Sequence, residues 1–286
     1  KIFRPGGYFV HFVVCLKQVP DTSEVRVDPE TNTLIRKGVP SIINPYDAHA
    51  LEEAMRLKDK LGGKVTIISM GPMQTREAIK KAMSFGADRA ILLSDRHFGG
   101  SDSLATAYIL STALKKVNET EPIDLVLAGK EAIDGDTAQT GPGIAQRLGF
   151  PQLTYVIRVR EMTESNITVE RKTEAGRQVV EAQLPALITV EKELNEVRYA
   201  SLPDLMKAAQ YIPDIWDSNS LIFDATQMGL KGSPTSVSRI FAPLGRSGGE
   251  IIDGTKDPAG TAAVVVQKIL EQNVIMVNPL LGGGKP

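Results

Sequence analysis

The chain has 286 residues, of which 42% are hydrophobic and 23% are charged, as in ordinary soluble globular proteins. This composition excludes a wholly disordered chain, a collagen-like chain and a disulfide scaffold. Lys and Arg total 33 against 34 Asp and Glu, so the net charge of −1 gives no global field for nucleic acid or anionic lipid.

The cysteine content and the apolar runs bear on the compartment. Cys15 is the single cysteine and cannot form an internal disulfide, which fits a reducing compartment such as the cytoplasm. No apolar run approaches the roughly 20 residues of a membrane helix, so we expect no membrane insertion.

The first half of the chain alternates β-rich runs with helical patterns. Strands are predicted at 9–17, 64–70, 89–93 and 124–128, with helices at about 44–61, 75–85 and 102–116 and one ending near 148. Asn44 is expected to cap the first of these helices, with Pro45 in its first turn and Asp47 near its positive end. This rhythm predicts an α/β fold with a Rossmann-like, doubly wound, mostly parallel sheet covered on both faces.

The pattern changes after Pro151. Runs at 153–160, 167–172 and 178–182 predict a small antiparallel meander, followed by a strand at 187–190 and a helix at 201–209. From Tyr211 the signal is irregular up to a helix at 261–270. We therefore divide the chain into an α/β domain, 1–210, and an extended C-terminal arm, 211–286. Apolar residues on the arm indicate packing on another surface, and an extension folded over its own domain is the alternative.

The strongest local signal is the segment from Gly129 to Gly143, between a strand and a helix. Ligands of open α/β sheets bind outside the carboxyl ends of the strands, and a Gly- and Thr-rich loop at a helix start offers N–H groups to a phosphate. Asp134 and Asp136 would repel a phosphate, so we expect them to cap the helix or orient the loop. A purely structural turn is the alternative. The strand ends at 15–17 and 70–72 converge there with Asn44.

Three other features are given structural interpretations. Cys15 is expected to be a buried strand thiol, and the three histidines show no zinc-ligand spacing. The segment 99–103 is similar to the phosphate loop of ATP-pyrophosphatase enzymes but follows a later strand. We therefore interpret Asp102 as a helix cap, and an enzyme of that class is a third hypothesis.

Six segments in order resemble the beta subunit of electron-transfer flavoproteins: 13–21, 44–47, 70–72, 86–90, 129–143 and 194–203. The resemblance implies an adenine-nucleotide-binding domain paired with an alpha subunit that carries another FAD. It places nucleotide contacts at Cys15, Leu16, Lys17, Asn44, Pro45, Tyr46, Asp47, Met70, Gly71, Asp134, Gly135, Asp136, Thr137, Ala138, Gln139, Thr140, Gly141, Pro142, Gly143, Ile144 and Ala145.

The arm distinguishes two branches of that family. Its segment from Gly229 to Val237, here called the arm motif, resembles a motif of the electron-bifurcating branch that lies against the flavin of a beta-subunit FAD. The resemblance implies an extended strip with further FAD contacts at Gly232, Ser233, Pro234 and Thr235. It also implies NADH as electron donor and ferredoxin or flavodoxin as low-potential acceptor. In the housekeeping branch the same pocket holds a structural AMP.

The segment from Val190 to Glu196 resembles the family's recognition loop and is called the docking loop here. The resemblance implies that Leu194 is an apolar anchor that inserts into an acyl-CoA dehydrogenase, with a membrane quinone oxidoreductase as the other possible partner. A packed, inward-facing Leu194 is the structural alternative. No residue of the chain is implied to be a catalytic acid or base, or a metal ligand.

Overall fold

The computed structural model describes residues 9–21, 26–27, 34–35, 40–236 and 249–271. Within these ranges the strands are β1 (His11–Cys15), β2 (Gln18–Pro20), β3 (Arg26–Val27), β4 (Leu34–Ile35), β5 (Ser41–Ile43), β6 (Lys64–Met70), β7 (Arg89–Leu93), β8 (Leu125–Gly129), β9 (Gln152–Met162), β10 (Asn166–Thr173), β11 (Gly176–Gln183), β12 (Ala186–Val190) and β13 (Asp214–Trp216). The α-helices are α1 (Pro45–Leu61), α2 (Arg76–Met83), α3 (Ser103–Thr120), α4 (Thr140–Leu148), α5 (Leu202–Ala209), α6 (Gly229–Gly232) and α7 (Pro258–Glu271). Val237, the last residue of the arm motif, lies outside the described residues.

One sheet of nine strands organises the described part of the chain, in the order β11-β10-β9-β12-β8-β1-β6-β7-β13. The strands from β9 to β13 in that order run parallel, whereas β10 and β11 add an antiparallel hairpin at one edge. Two short antiparallel ribbons, β2 with β5 and β3 with β4, are separate from it. The predicted doubly wound, mostly parallel sheet with a small meander is confirmed.

Both faces of the central strands are buried, because successive side chains of a strand point to opposite faces. Phe12 and Val14 of β1 join a cluster that includes residues of α1 and α2. Val13 and Cys15 join a second cluster with residues of α3 and α4. Continuous apolar runs such as that of β8 are therefore explained by helices on each side.

The connections of the sheet create a switch point between β1 and β8. From β1 the chain moves through α1 to β6 and through α2 to β7, in one direction across the sheet. It then crosses back through α3 and places β8 on the other side of β1. A crevice outside the carboxyl ends of β1 and β8 is the usual ligand position in such a sheet.

The first part of the arm belongs to the α/β unit. Ile215 of β13 pairs in parallel with Leu92 of β7, and the ring of Phe223 lies 5.3 Å from that of Phe98 in an edge-on arrangement. The chain divides into two compact units, 1–242 and 243–286, and the described residues of the arm motif belong to the first. The second unit contains α7. No helix among the described residues is long and apolar enough to cross a membrane.

Candidate functional site

A cavity of about 440 Å³ opens at the switch point and is called the switch-point cavity here. Ligand pockets of proteins span roughly 300–1,000 Å³. Its walls are the ends of β1 and β6, the loop after β8, and the first turns of α3 and α4. The predicted nucleotide contacts that line it are Cys15, Leu16, Lys17, Asn44, Asp47, Met70, Gly135, Asp136, Thr137, Ala138, Thr140, Gly141, Ile144 and Thr235.

Other residues that the sequence assigned to the site are not part of this lining. They are Pro45, Tyr46, Gly71, Asp134, Gln139, Pro142, Gly143, Ala145, Gly232, Ser233 and Pro234. Several have another place in the fold. Ala145 is fully buried in the second apolar cluster, and Gly143 lies so near Ala107 that a Cβ would be 2.9 Å from it. Assigning a continuous stretch of sequence to the site therefore includes too many residues, because only one face of a helix borders the cavity.

One wall of the cavity was missed by sequence reasoning. The start of α3 contributes Ser101, Asp102, Ser103, Thr106 and Leu110. Asp102 caps α3 as predicted, since its Oδ1 accepts hydrogen bonds from the backbone N–H groups of Leu104 and Ala105, both at 3.0 Å. The signal that could have found this wall is topological: the helix that returns from β7 to β8 must start at the carboxyl edge of the sheet.

Further residues that were not predicted as contacts also line the cavity. They are Ile68 of β6 and a group at the end of β8 and just after it. The latter are Ala128, Gly129, Lys130, Glu131 and Ala132.

A buried carboxylate, Asp47, joins the two strands of the switch point. It accepts hydrogen bonds from the backbone N–H of Lys17 at 2.7 Å and from that of Gly129 at 3.0 Å. Burial raises the pKa of Asp47 to about 7, against the lowering effect of these hydrogen bonds. The carboxylate therefore fixes the distance between the ends of β1 and β8.

Asn44 is the N-cap residue of α1, as predicted, but its side chain makes no capping bond and holds the loop after β8 instead. Its buried amide donates to the carbonyl of Glu131 at 2.8 Å and accepts from the N–H of Ile133 at 3.2 Å. Tertiary partners thus take the amide that a free helix would use for its own first turn.

The same loop is restrained from outside by a salt bridge. The Lys17 ammonium lies 2.7 Å from Asp134, and both side chains are partly exposed. Asp134 thus orients the loop, as one of its two predicted roles. Asp136 and Ala138 have left-handed backbones, with φ of 48° and 53°, which non-glycine residues adopt at a cost. The loop has a specific, strained shape beside the cavity.

The start of α4 offers backbone donors to the cavity. Neither Asp134 nor Asp136 caps this helix, whose N-cap is Gln139, and no side chain of the described residues makes the capping bond. Thr140 and Gly141 therefore line the cavity with first-turn amides, at the positive end of the helix. This arrangement suits an anionic group.

The cavity contains no activated nucleophile among its described residues. Burial, with a smaller contribution from Asp47, raises the pKa of the Cys15 thiol to about 12. The thiol therefore stays protonated near neutral pH, as expected for a structural cysteine.

The arm motif reaches the cavity at Thr235. The hydroxyl of Thr235 donates to Asp102 Oδ2 at 2.8 Å, and its backbone N–H does so at 3.2 Å. The hydroxyl of Ser233 accepts from the N–H of Asp102 at 2.9 Å. The start of the motif is the helical turn α6 and not the extended strip expected above. The left-handed Gly229, with φ of 56°, begins this turn against the backbone of residue 97.

The docking loop is fastened to α1. Asn195 Oδ1 accepts a hydrogen bond from His49 Nδ1 at 2.9 Å, and the Asn195 NH2 group donates to Glu53 at 3.0 Å. Leu194 is half-buried against the first apolar cluster, so it does not stand free of its own domain as a protruding anchor would. Its insertion into a partner stays a prediction.

Comparisons with known proteins agree on one family. The profile of the electron transfer flavoprotein domain matches residues 31–212. The chain is 51% identical to "Protein FixA" of Azotobacter vinelandii over 92% of this chain and 96% of that protein. It is 48% identical to the "Electron transfer flavoprotein subunit beta" of Clostridium acetobutylicum, over 93% and 100% of the two chains. It is 46% identical to the "Caffeyl-CoA reductase-Etf complex subunit CarD" of Acetobacterium woodii, again over 93% and 100%.

Proposed function

The chain belongs to the electron transfer flavoprotein family as a beta subunit, and on this premise we propose that it binds FAD in the switch-point cavity and takes part in electron bifurcation. NADH is the proposed electron donor. The observation that carries the proposal is the position of Thr235, which brings the arm motif to the lining of the same cavity as the loop after β8.

The residues of the cavity fit an adenine dinucleotide. The amides of Thr140 and Gly141 and the ammonium of Lys17 supply donors and positive charge for a diphosphate. Ile68 and Leu110 supply apolar surface for a planar ring. A Cβ at position 129 would lie 2.6 Å from the Cβ of Tyr46. Because Gly129 has no side chain, the end of β8 and the start of α1 can approach each other at the cavity floor.

The chemistry that bound FAD would supply is hydride transfer from NADH, followed by electron transfer to two acceptors. These are the alpha-subunit FAD and a ferredoxin or flavodoxin. The chain's own residues bind and orient. Lys17 can turn its ammonium from Asp134 to a phosphate, and Thr235 lines the cavity with its hydroxyl engaged by Asp102. Cys15 exchanges no proton, because its thiol is buried and protonated.

The partners are proposed on the family and on the docking loop. We place the chain in a cytoplasmic heterodimer with an alpha subunit. The relative whose name includes caffeyl-CoA reductase supports a CoA-ester oxidoreductase, of the acyl-CoA dehydrogenase type, as the high-potential partner. A quinone oxidoreductase is the other candidate for that role, as the family resemblance implies.

The test is the nucleotide content of the heterodimer purified after co-expression with its alpha subunit. Bifurcation requires two FAD per heterodimer and loss of flavin absorbance on anaerobic addition of NADH. One FAD with one AMP, and no response to NADH, identifies the housekeeping branch and contradicts the proposal. Reduction by an acyl-CoA dehydrogenase with its substrate is the control that shows the alpha-subunit flavin to be competent in either case.

A further inference from the structure

We infer that Asp102 is a positioning residue, which caps α3 with one carboxylate oxygen and with the other holds Thr235 in the wall of the switch-point cavity. The inference rests on the proposed function for the identity of the ligand, but the contact itself does not. It assigns a role to a residue outside the segments by which the site was recognised.

The two oxygens of this carboxylate have separate duties. Oδ1 accepts from the N–H groups of Leu104 and Ala105, as a helix cap does. Oδ2 accepts from both the N–H and the hydroxyl of Thr235. Hydrogen bonds to an ionised group are the stronger kind, so one side chain orders two segments that are 133 residues apart.

Further hydrogen bonds hold other residues of the arm motif beside this pair. Ser101 Oγ accepts from the N–H of Gly229 at 3.1 Å, and Ser233 Oγ accepts from the N–H of Asp102 at 2.9 Å. Upstream, the N–H of Asp224 donates to the hydroxyl of Tyr108 on α3 at 2.7 Å. Residues 224–235 are thus attached at four points to α3 and to the two residues before it, all within this chain.

Both Asp102 and Thr235 line the cavity, whereas Ser233 does not. A shift of Thr235 would therefore change the shape of the space that a ligand occupies. Ser101 and Ser233 are expected to guide the segment, and the Asp102–Thr235 pair to fix its final position.

The substitution Asp102→Asn separates the two duties. Asn keeps a carbonyl oxygen for the helix cap, since Asn caps about as well as Asp. Its NH2 group cannot accept from the Thr235 N–H. In the heterodimer we expect hydrogen exchange of the Thr235 amide to become faster by on the order of tenfold, and that of the Leu104 and Ala105 amides to change by less than about twofold. Unchanged exchange at Thr235, or equal acceleration at all three amides, would overturn the inference.

A second measurement asks whether the pair shapes the ligand site. FAD is titrated into the nucleotide-depleted heterodimer. Thr235→Val removes the hydroxyl and is expected to weaken FAD binding by on the order of tenfold, while Thr235→Ser restores most of the affinity. The double variant Asp102→Asn/Thr235→Val should bind no more weakly than the weaker single variant, because both changes break the same contact.

The matched control is Thr226→Val. Thr226 makes the same type of contact, with its hydroxyl 2.6 Å and its N–H 2.9 Å from Asp224 Oδ1, but it does not line the cavity. It should bind FAD like the unchanged chain. If Thr235→Val also binds FAD like the unchanged chain, Thr235 is no part of the ligand site. If the unchanged chain itself binds no FAD, the proposed function fails. The hydrogen-exchange measurement on Asp102→Asn still tests the contact between Asp102 and Thr235, because it does not depend on the ligand.

Discussion

Asp47 Oδ1 accepts the hydrogen bond of the Gly129 N–H at 3.0 Å, and a Cβ added to Gly129 would lie only 2.4 Å from that same oxygen. The position would also be 2.8 Å from the backbone carbon of Tyr46. The end of β8 and the start of α1 therefore approach so closely that only a residue without a side chain fits between them.

Gly129→Ala is expected to destabilise the chain by about 2–3 kcal/mol, because backbone atoms must move to admit the methyl group. The measurement is the midpoint and slope of urea unfolding. The same shift would separate Asp47 from its donors, so the variant should also lose nucleotide from the purified heterodimer.

Gly135→Ala is the matched control for this substitution. Gly135 lies in the loop that follows β8, and a Cβ there would meet nothing within 4 Å. Its unfolding free energy should stay within about 0.5 kcal/mol of the unchanged chain. Equal stability of the two variants would show that the contact between β8 and α1 is looser than the distances imply.

The protonation of Asp47 predicts the direction in which the free energy of unfolding changes with pH. Burial raises its pKa from the ordinary 3.8 to about 7 in the folded chain, so the folded state holds the proton more tightly than the unfolded state does. Its contribution to stability is full below the unfolded pKa and is lost as the pH rises toward 7. The unfolding free energy of the unchanged chain minus that of Asp47→Asn should therefore fall between pH 5 and pH 8, by at most about 1.4 kcal/mol per pH unit. A difference that stays flat over this range would show an ionised Asp47 in the folded state.

The sheet could be predicted because its central strands are long enough for their residue pattern to indicate burial. β6 and β8 are buried on both faces, and both are rich in apolar and β-branched residues between helical patterns. β13 has only three residues, partly exposed, and is held by pairing with β7 rather than by its own pattern. A local signal cannot reveal such a strand.

The site could be predicted in position but not in full lining. The position of the loop after β8, with Thr140, follows from its place behind a strand, whereas Asp47 was assigned to the site by the family resemblance. The start of α3 was missed because its sequence has the ordinary chemistry of a helix cap. Asn44 lies at the predicted N-cap position, but its side chain bonds to the loop after β8, which only the tertiary structure reveals.

Cys15 should resist alkylation in the folded chain. A pKa raised from 9.0 to about 12 by burial lowers the thiolate fraction about 1,000-fold at pH 8, and the thiolate is the reactive form. We expect iodoacetamide to modify the chain at the rate of an ordinary thiol only after unfolding in urea, as followed by mass spectrometry. Rapid modification of the folded chain at pH 8 would show that the strand end is open to solvent.

Leu194 tests whether an apolar residue can serve both its own domain and a partner. Leu194→Ala removes a half-buried side chain from the first apolar cluster and should cost about 1–2 kcal/mol of unfolding free energy. Leu202→Ala is the matched control, because Leu202 is 71% exposed on α5 and its truncation should cost less than about 0.5 kcal/mol. If Leu194 also anchors a partner, its truncation should slow electron transfer from an acyl-CoA dehydrogenase to the heterodimer much more than Leu202→Ala does, at unchanged nucleotide content. Equal rates for the two variants, with the stability loss present, would assign Leu194 to the core alone.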